Sequence, residues 1–179
     1  MVKKEGGFTL IEVIVVAGII AVLAGILVPL IFKEIDESKV ARAAADIRSI
    51  SSAIIVLKKD TGSWPASATC NSGATYMTGA GALPTITGPN WNTATPLAFD
   101  DVLNVDDAGC WGTAWKGPYF ATVGRDPWGR AYLLNVDALI SSSTTPVWII
   151  SAGPDGVLQT AATANIVNDG VDDIGIRIR

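Results

Sequence analysis

The sequence predicts an α+β protein: a long N-terminal α-helix, membrane-spanning in its first half and amphipathic in its second, packed on a small antiparallel β-sheet domain. Three features predict this. Residues 13–32 form a run of 20 residues without a charge. Residues 33–59 contain neither Gly nor Pro and carry an apolar stripe of helical period. Nearer the C-terminus, residues 131–136 and 146–151 are short apolar runs with aromatic and β-branched members, set between turn-forming sequences.

As a helix, the uncharged run covers roughly 30 Å at about 1.5 Å per residue, the thickness of a hydrocarbon core. Within it, Pro29 removes a backbone donor and crowds the preceding turn, which predicts a bend. Gly18 and Gly25 lie seven residues apart on nearly one face. They would let helices approach closely, although glycine is also common in membrane helices generally. Beyond Pro29, apolar residues recur at Val40, Ala44, Ile47, Ile50, Ile54 and Leu57, with steps of four, three, three, four and three. Asp36, Lys39, Arg42, Asp46 and Arg48 occupy the opposite, solvated side. One helix over residues 8–59 is therefore expected, about 75–80 Å long at about 1.5 Å per residue. Asp60-Thr61-Gly62-Ser63-Trp64-Pro65 stops it: Gly supplies a left-handed cap and Pro cannot continue the helix.

Residues 66–118 are rich in Gly, Thr, Ala, Asn and Pro, and little period survives there. A variable loop region is expected, with one short helix near residues 96–103. Trp91, Trp111 and Trp115 should pack it down onto the long helix. Asp126-Pro127-Trp128-Gly129 is a turn by its chemistry, since Pro presets φ and Gly takes the left-handed position. Strands are expected at 131–136 and 146–151, antiparallel and joined by the polar connector 141–145. A last strand at 175–178 would place Ile176 and Ile178 on one face.

The junction ahead of the helix carries most information. Lys3-Lys4-Glu5-Gly6-Gly7 is followed by Phe8-Thr9-Leu10-Ile11-Glu12 and then the apolar run. A carboxylate at the edge of a membrane segment is costly and calls for a purpose. A cleaved secretory signal has a shorter apolar core and a small-residue cleavage site, whereas this run ends in Phe32-Lys33-Glu34. A plain anchor leaves Glu12 and Gly6-Gly7-Phe8 unexplained, and a buried core helix is disfavoured by length.

Gly6-Gly7-Phe8-Thr9-Leu10-Ile11-Glu12-Val13 resembles the processing motif of the type IV pilin and pseudopilin family at every position. The resemblance implies a leader at residues 1–7, cut between Gly7 and Phe8 by a prepilin peptidase, with N-methylation of Phe8. It implies a filament-core helix at 8–32, an amphipathic continuation at 33–60 and a globular domain at 61–179. Within that domain, 66–118 would be variable and 119–179 would hold the sheet and an acidic loop. Lys3 and Lys4 precede the membrane run, in accord with the positive-inside rule. Glu12 is expected to meet the α-amino group of Phe8, in the same or a neighbouring subunit, and so to set filament register. Gly117-Pro118-Tyr119 and Asp126-Pro127-Trp128-Gly129 resemble the major pseudopilin of type II secretion systems in particular.

Composition narrows the chemistry. The chain has 179 residues, 13 Lys and Arg against 17 Asp and Glu, and a net charge of −4. From Thr61 onward there are five basic and ten acidic residues, so no electrostatic footprint for nucleic acid. Histidine is absent, which removes the commonest general base and metal ligand. No nucleophile–base arrangement, zinc spacing or phosphate loop is present, and no enzyme is expected.

Any metal must use oxygen ligands, which suits calcium. The resemblance places a calcium site in the C-terminal loop, with Asp155, Asp169, Asp172 and Asp173 as its candidate ligands. The insert 157–167 and the ending Asp172-Asp173-Ile174 depart from the compact family loop, and a solvated acidic turn is the alternative. The resemblance also places Cys70 and Cys110 outside the cytoplasm, where disulfides persist. A bridge between them is expected, two free buried thiols being the alternative.

The resemblance implies a structural pseudopilin subunit that polymerises with itself into a type II secretion pseudopilus. The rival is a type IV pilus subunit for adhesion, motility or DNA uptake. Implied partners are the prepilin peptidase, an inner-membrane platform protein, a motor ATPase and minor pseudopilins. The chain would sit in the bacterial inner membrane as a single-pass protein with a periplasmic domain before assembly into a filament.

Overall fold

The structure is a computed structural model that describes residues 7–67, 69–140, 145–167 and 170–179, with Asp137 described in its backbone alone. Its elements are α1 (Leu10–Thr61), β1 (Tyr76–Thr78), β2 (Thr85–Ile86), β3 (Pro96–Ala98), α2 (Asp100–Leu103), β4 (Leu133–Asn135), α3 (Asp137–Ile140), β5 (Trp148–Ser151), β6 (Val157–Leu158) and β7 (Ile174–Arg177). The chain divides into two compact units, with the boundary between Ser38 and Lys39. Most of the Ser141–Thr145 connector lies outside the described residues.

In the first unit, α1 is helical without interruption through Pro29. Every residue from 7 to 38 is exposed. The helix contains a window of mean hydropathy 3.0, long and apolar enough to cross a membrane. Nothing within this unit covers that apolar surface, so it has lipid or protein as its natural surroundings.

In the second unit, the C-terminal half of α1 turns Ala43, Ile47, Ile50, Ala53, Ile54 and Leu57 into the core. Val40, expected at the head of the stripe, is exposed, and Ala43 is buried in its place. Fully burying an Ile or Leu side chain is worth about 1.5–3 kcal/mol, so these residues supply most of the helix's attachment. The helix ends as the sequence predicts. Gly62 adopts φ +74° and its N–H reaches the Lys58 carbonyl at 2.9 Å.

The sheet has five strands in the order β3-β1-β4-β5-β7. The antiparallel sheet expected from the sequence holds for β1–β4, β4–β5 and β5–β7, but β3 runs parallel to β1. The sheet is therefore mixed. The physical reason is the 17-residue connection 79–95, long enough for a crossover where a hairpin would be short. A second, two-stranded parallel sheet pairs β2 with β6. Two strands of the main sheet thus come from the region expected as loop. Within the stretch expected to be a short helix, Pro96–Ala98 is strand and only Asp100–Leu103 is helical.

Pleating sorts the side chains onto two faces. Met77, Leu134, Ile149 and Ile176 are register partners in one row across four strands and pack with Ile47, Ile50, Ile54 and Leu57 of α1. Tyr76, Leu133, Ile150 and Leu158 form a second cluster on the other face. Trp111 and Trp115 pack against the helix-side cluster as expected, but Trp91 belongs to the second cluster with Ile86. It goes there because β2 pairs with β6, which carries residues 85–91 to that face.

Candidate functional site

The sequence singles out two places: the N-terminal junction and the acidic C-terminal loop. At the junction, Gly7 is exposed and a Cβ placed on it would meet nothing within 4 Å. Phe8 is 89% exposed, which leaves the Gly7–Phe8 peptide bond open to approach. Glu12 and Thr9 start the helix together. The Thr9 backbone N–H and hydroxyl both donate to Glu12 Oε2, at 2.8 and 2.7 Å, and the Glu12 N–H donates back to the Thr9 hydroxyl at 3.4 Å. This is a capping box, in which the residue before the helix and the third helical residue satisfy each other's backbone donors. Sequence reasoning placed Glu12 but missed Thr9's part. The Thr-x-x-Glu spacing ahead of an apolar run was the available signal.

The acidic loop is built around Asp173, which is 7% exposed. Its Oδ2 accepts the Gln159 N–H at 3.0 Å and the Thr160 N–H at 2.6 Å. Its Oδ1 is buried and has no hydrogen-bond partner. Burial pushes the Asp173 carboxyl above the usual carboxylate range, and the neighbouring Asp172 adds to this, while the bonds from Thr160 and Gln159 pull it back. A buried, unsatisfied polar atom costs about 1–3 kcal/mol and calls for an explanation. Asp172 Oδ2 accepts the Asp155 N–H at 3.0 Å, which draws the turn at residues 153–156 against residue 172. Gly153 makes that approach possible: it has φ +63°, and a Cβ there would strike the Asp172 carbonyl oxygen. Asp155 is exposed, and its Oδ1 accepts the Val157 N–H at 2.7 Å.

Thus Asp155, Asp172 and Asp173 are brought into one loop cluster, and Asp169 lies outside the described residues. Among the described residues no group of three or more His, Cys, Asp or Glu side chains converges as a metal site. The donor set fits a hard cation in kind, being all oxygen, with one buried oxygen left open by Asp173. It falls short in number of side chains, so backbone carbonyls and water would have to complete a shell of six to eight ligands.

Other polar contacts organise the scaffold. Asp126 is 2% exposed, and its carboxylate accepts the Trp128 and Arg130 N–H groups at 3.0 and 2.7 Å and the Ser151 hydroxyl at 2.7 Å. It therefore ties the Asp126-Pro127-Trp128-Gly129 turn to β5. Cys70 and Cys110 form the expected disulfide, with Cα atoms 5.5 Å apart. It joins the loop after the helix to the loop held by Asp106, whose carboxylate accepts the N–H groups of Cys110, Trp111 and Gly112.

Comparison with known proteins agrees with this geometry at both ends of the chain. The family described as the prokaryotic N-terminal methylation motif matches residues 2–28. The family described as type II secretion system (T2SS), protein G matches residues 101–169. Among curated proteins, the type II secretion system core protein G of Escherichia coli K12 is 28% identical over 158 residues, covering 88% of this chain and 87% of the relative. That of Pseudomonas aeruginosa is 27% identical over 154 residues, covering 86% and 87%. That of Pectobacterium carotovorum is 29% identical over 157 residues, covering 88% and 81%. No solved structure matches the chain significantly. With a methylation-motif match on the exposed junction, a secretion-protein match over residues 101–169 and relatives alike over most of their length, the chain is similar to the type IV pilin and pseudopilin family, and in particular to the core protein G of type II secretion systems.

Proposed function

We propose that this chain is a structural pseudopilin, polymerising through its N-terminal helix into a type II secretion pseudopilus that supports protein export across the outer membrane. The observation that carries the reading is the junction. An open Gly7–Phe8 bond stands directly before a capped helix whose residues 10–32 are all exposed and, Glu12 apart, uncharged. In the membrane this surface contacts lipid. In a filament the same surface packs against copies of itself, so subunits can leave the bilayer without exposing it to water. Cleavage of the Gly7–Phe8 bond by a prepilin peptidase frees the Phe8 α-amino group for methylation. A neighbour's amine then meets Glu12, whose carboxylate has acceptor capacity beyond the one oxygen committed to Thr9. The pairing offsets the cost of a charge at the membrane edge and fixes the stagger of adjacent helices.

By this reading the chain is stored as a single-pass inner-membrane protein with its second unit in the periplasm. A platform protein, a motor ATPase and minor pseudopilins act with it during assembly. Calcium is proposed as the ligand of the acidic loop, held by Asp172 and Asp173 with help from Asp155 and Asp169. When bound it would neutralise carboxylates that otherwise repel one another. The open Oδ1 of Asp173 supports this.

Deleting the gene and following exported proteins tests the function. Accumulation of those proteins in the periplasm, reversed by the wild-type chain, is expected. Normal export together with loss of a surface-pilus function would contradict it.

A further inference from the structure

Residues 85–91 include none of the candidate ligands, yet they hold the segment on which Asp173 rests. Thr85 N–H donates to Gly156 O at 3.0 Å, and the Thr87 and Gly88 N–H groups both donate to Leu158 O, at 3.0 and 2.9 Å. Trp91 Nε1 donates to the Thr160 carbonyl at 2.8 Å, and Ala162 N–H returns a bond to Pro89 O at 3.0 Å. Gly88 passes so close that a Cβ on it would collide with the Thr160 carbonyl oxygen. Segment 156–162 is thus gripped along its length from the variable region.

The grip bears on the open carboxylate oxygen. The Thr160 residue held by Trp91 through its carbonyl donates its own N–H to Asp173 Oδ2, and Gln159 N–H joins it there. These two backbone donors on one oxygen, with a further bond from the Thr160 side chain, fix the carboxylate's rotation, while Oδ1 is left unpartnered and buried. If the 157–167 insert were loose, both N–H groups would move and the carboxylate could turn to satisfy itself. A cation that draws on Oδ1 therefore favours the arrangement in which the insert is held.

We propose that residues 85–91 form a latch over the acidic loop, with Trp91 a positioning residue that acts through Thr160 to present Asp173 to a divalent cation, so that cation binding and latch closure stabilise each other. This rests on the calcium reading given above. Coupling of this kind is reciprocal: whatever calcium does for the latch, the latch does for calcium affinity.

Calcium titration and hydrogen exchange on the full-length chain in detergent test it, using calcium chloride against a chelator. Calcium should slow exchange at the Thr87 and Gly88 amides in the wild type. Trp91→Phe, which keeps an aromatic ring but removes the donor, should weaken calcium binding about threefold to tenfold, the effect of one lost hydrogen bond. Unchanged exchange at residues 87–88 on calcium binding would overturn the latch while leaving the calcium site standing, as would equal affinity in a folded Trp91→Phe variant. Absence of calcium binding by the wild type would remove the site, and the latch with it.

Discussion

The Tyr132 hydroxyl donates to Asp46 Oδ2 at 3.0 Å, joining the end of the Asp126-Pro127-Trp128-Gly129 turn to the outer flank of α1 across 86 residues of sequence. Asp46 also lies 3.7 Å from Arg42 one turn away. The charged side of the helix is therefore not simply solvated: at Asp46 it anchors the sheet.

Burial, and then the bond to Asp46, raise the Tyr132 phenol above its ordinary value near 10. The folded state thus holds this proton more tightly than the unfolded state. Its contribution is complete below about pH 10, where the unfolded phenol titrates, and is lost as pH rises beyond that. Tyr132→Phe should destabilise the protein by about 0.5–1.5 kcal/mol at neutral pH, the usual worth of a hydrogen bond. It should also flatten the alkaline fall in stability. Chemical denaturation at pH 7 and above pH 10 measures both, and an equal alkaline slope in the two proteins would contradict the account.

The disulfide closes a loop between positions 40 residues apart. Replacing both Cys70 and Cys110 by Ser should cost about 2–4 kcal/mol in the chain-entropy picture. Thermal melts with and without reductant should show the same loss in the wild type and no reductant effect in the double variant.

Calcium should raise the melting temperature of the wild type, and a chelator should reverse this. Asp173→Asn should reduce the shift, because the amide oxygen that replaces the carboxylate lowers the ligand charge on which calcium affinity depends. Chelator-insensitive melting of the wild type would rule against the site.

At the junction, the capping box separates two roles of Glu12. Glu12→Gln retains an acceptor for the Thr9 N–H, since Gln serves in this motif, but removes the charge that meets an amine. Glu12→Ala removes both. Each should insert in the membrane normally and give few filaments when sheared fractions are compared. Wild-type filament yield from Glu12→Gln would show that helix capping alone is required.

Much of this fold could be read from residue order because its signals are local. The uncharged run and the stripe at Ile47, Ile50, Ile54 and Leu57 repeat over many turns, and Trp148–Ser151 is a compact apolar strand set between turn-forming sequences. By contrast, β1, β2 and β3 are two or three residues each, too short for a period to register. They are strands because partners distant in sequence make them so, as with Met77 against Leu134. The same holds at the acidic loop. Its aspartates were visible as a cluster, but nothing near Trp91 announces that its indole meets Thr160, 69 residues on. Thr9 is the exception, a local signal that was present and went unread.

The central claim is that the N-terminal helix is a polymerisation stem released by cleavage after Gly7. Intact-mass and N-terminal peptide mass spectrometry of the chain from its native envelope tests it most directly. The account predicts a mature protein beginning at Phe8 with a methylated amine. A chain still beginning at Met1 and unmodified, in cells with an active prepilin peptidase, would contradict it.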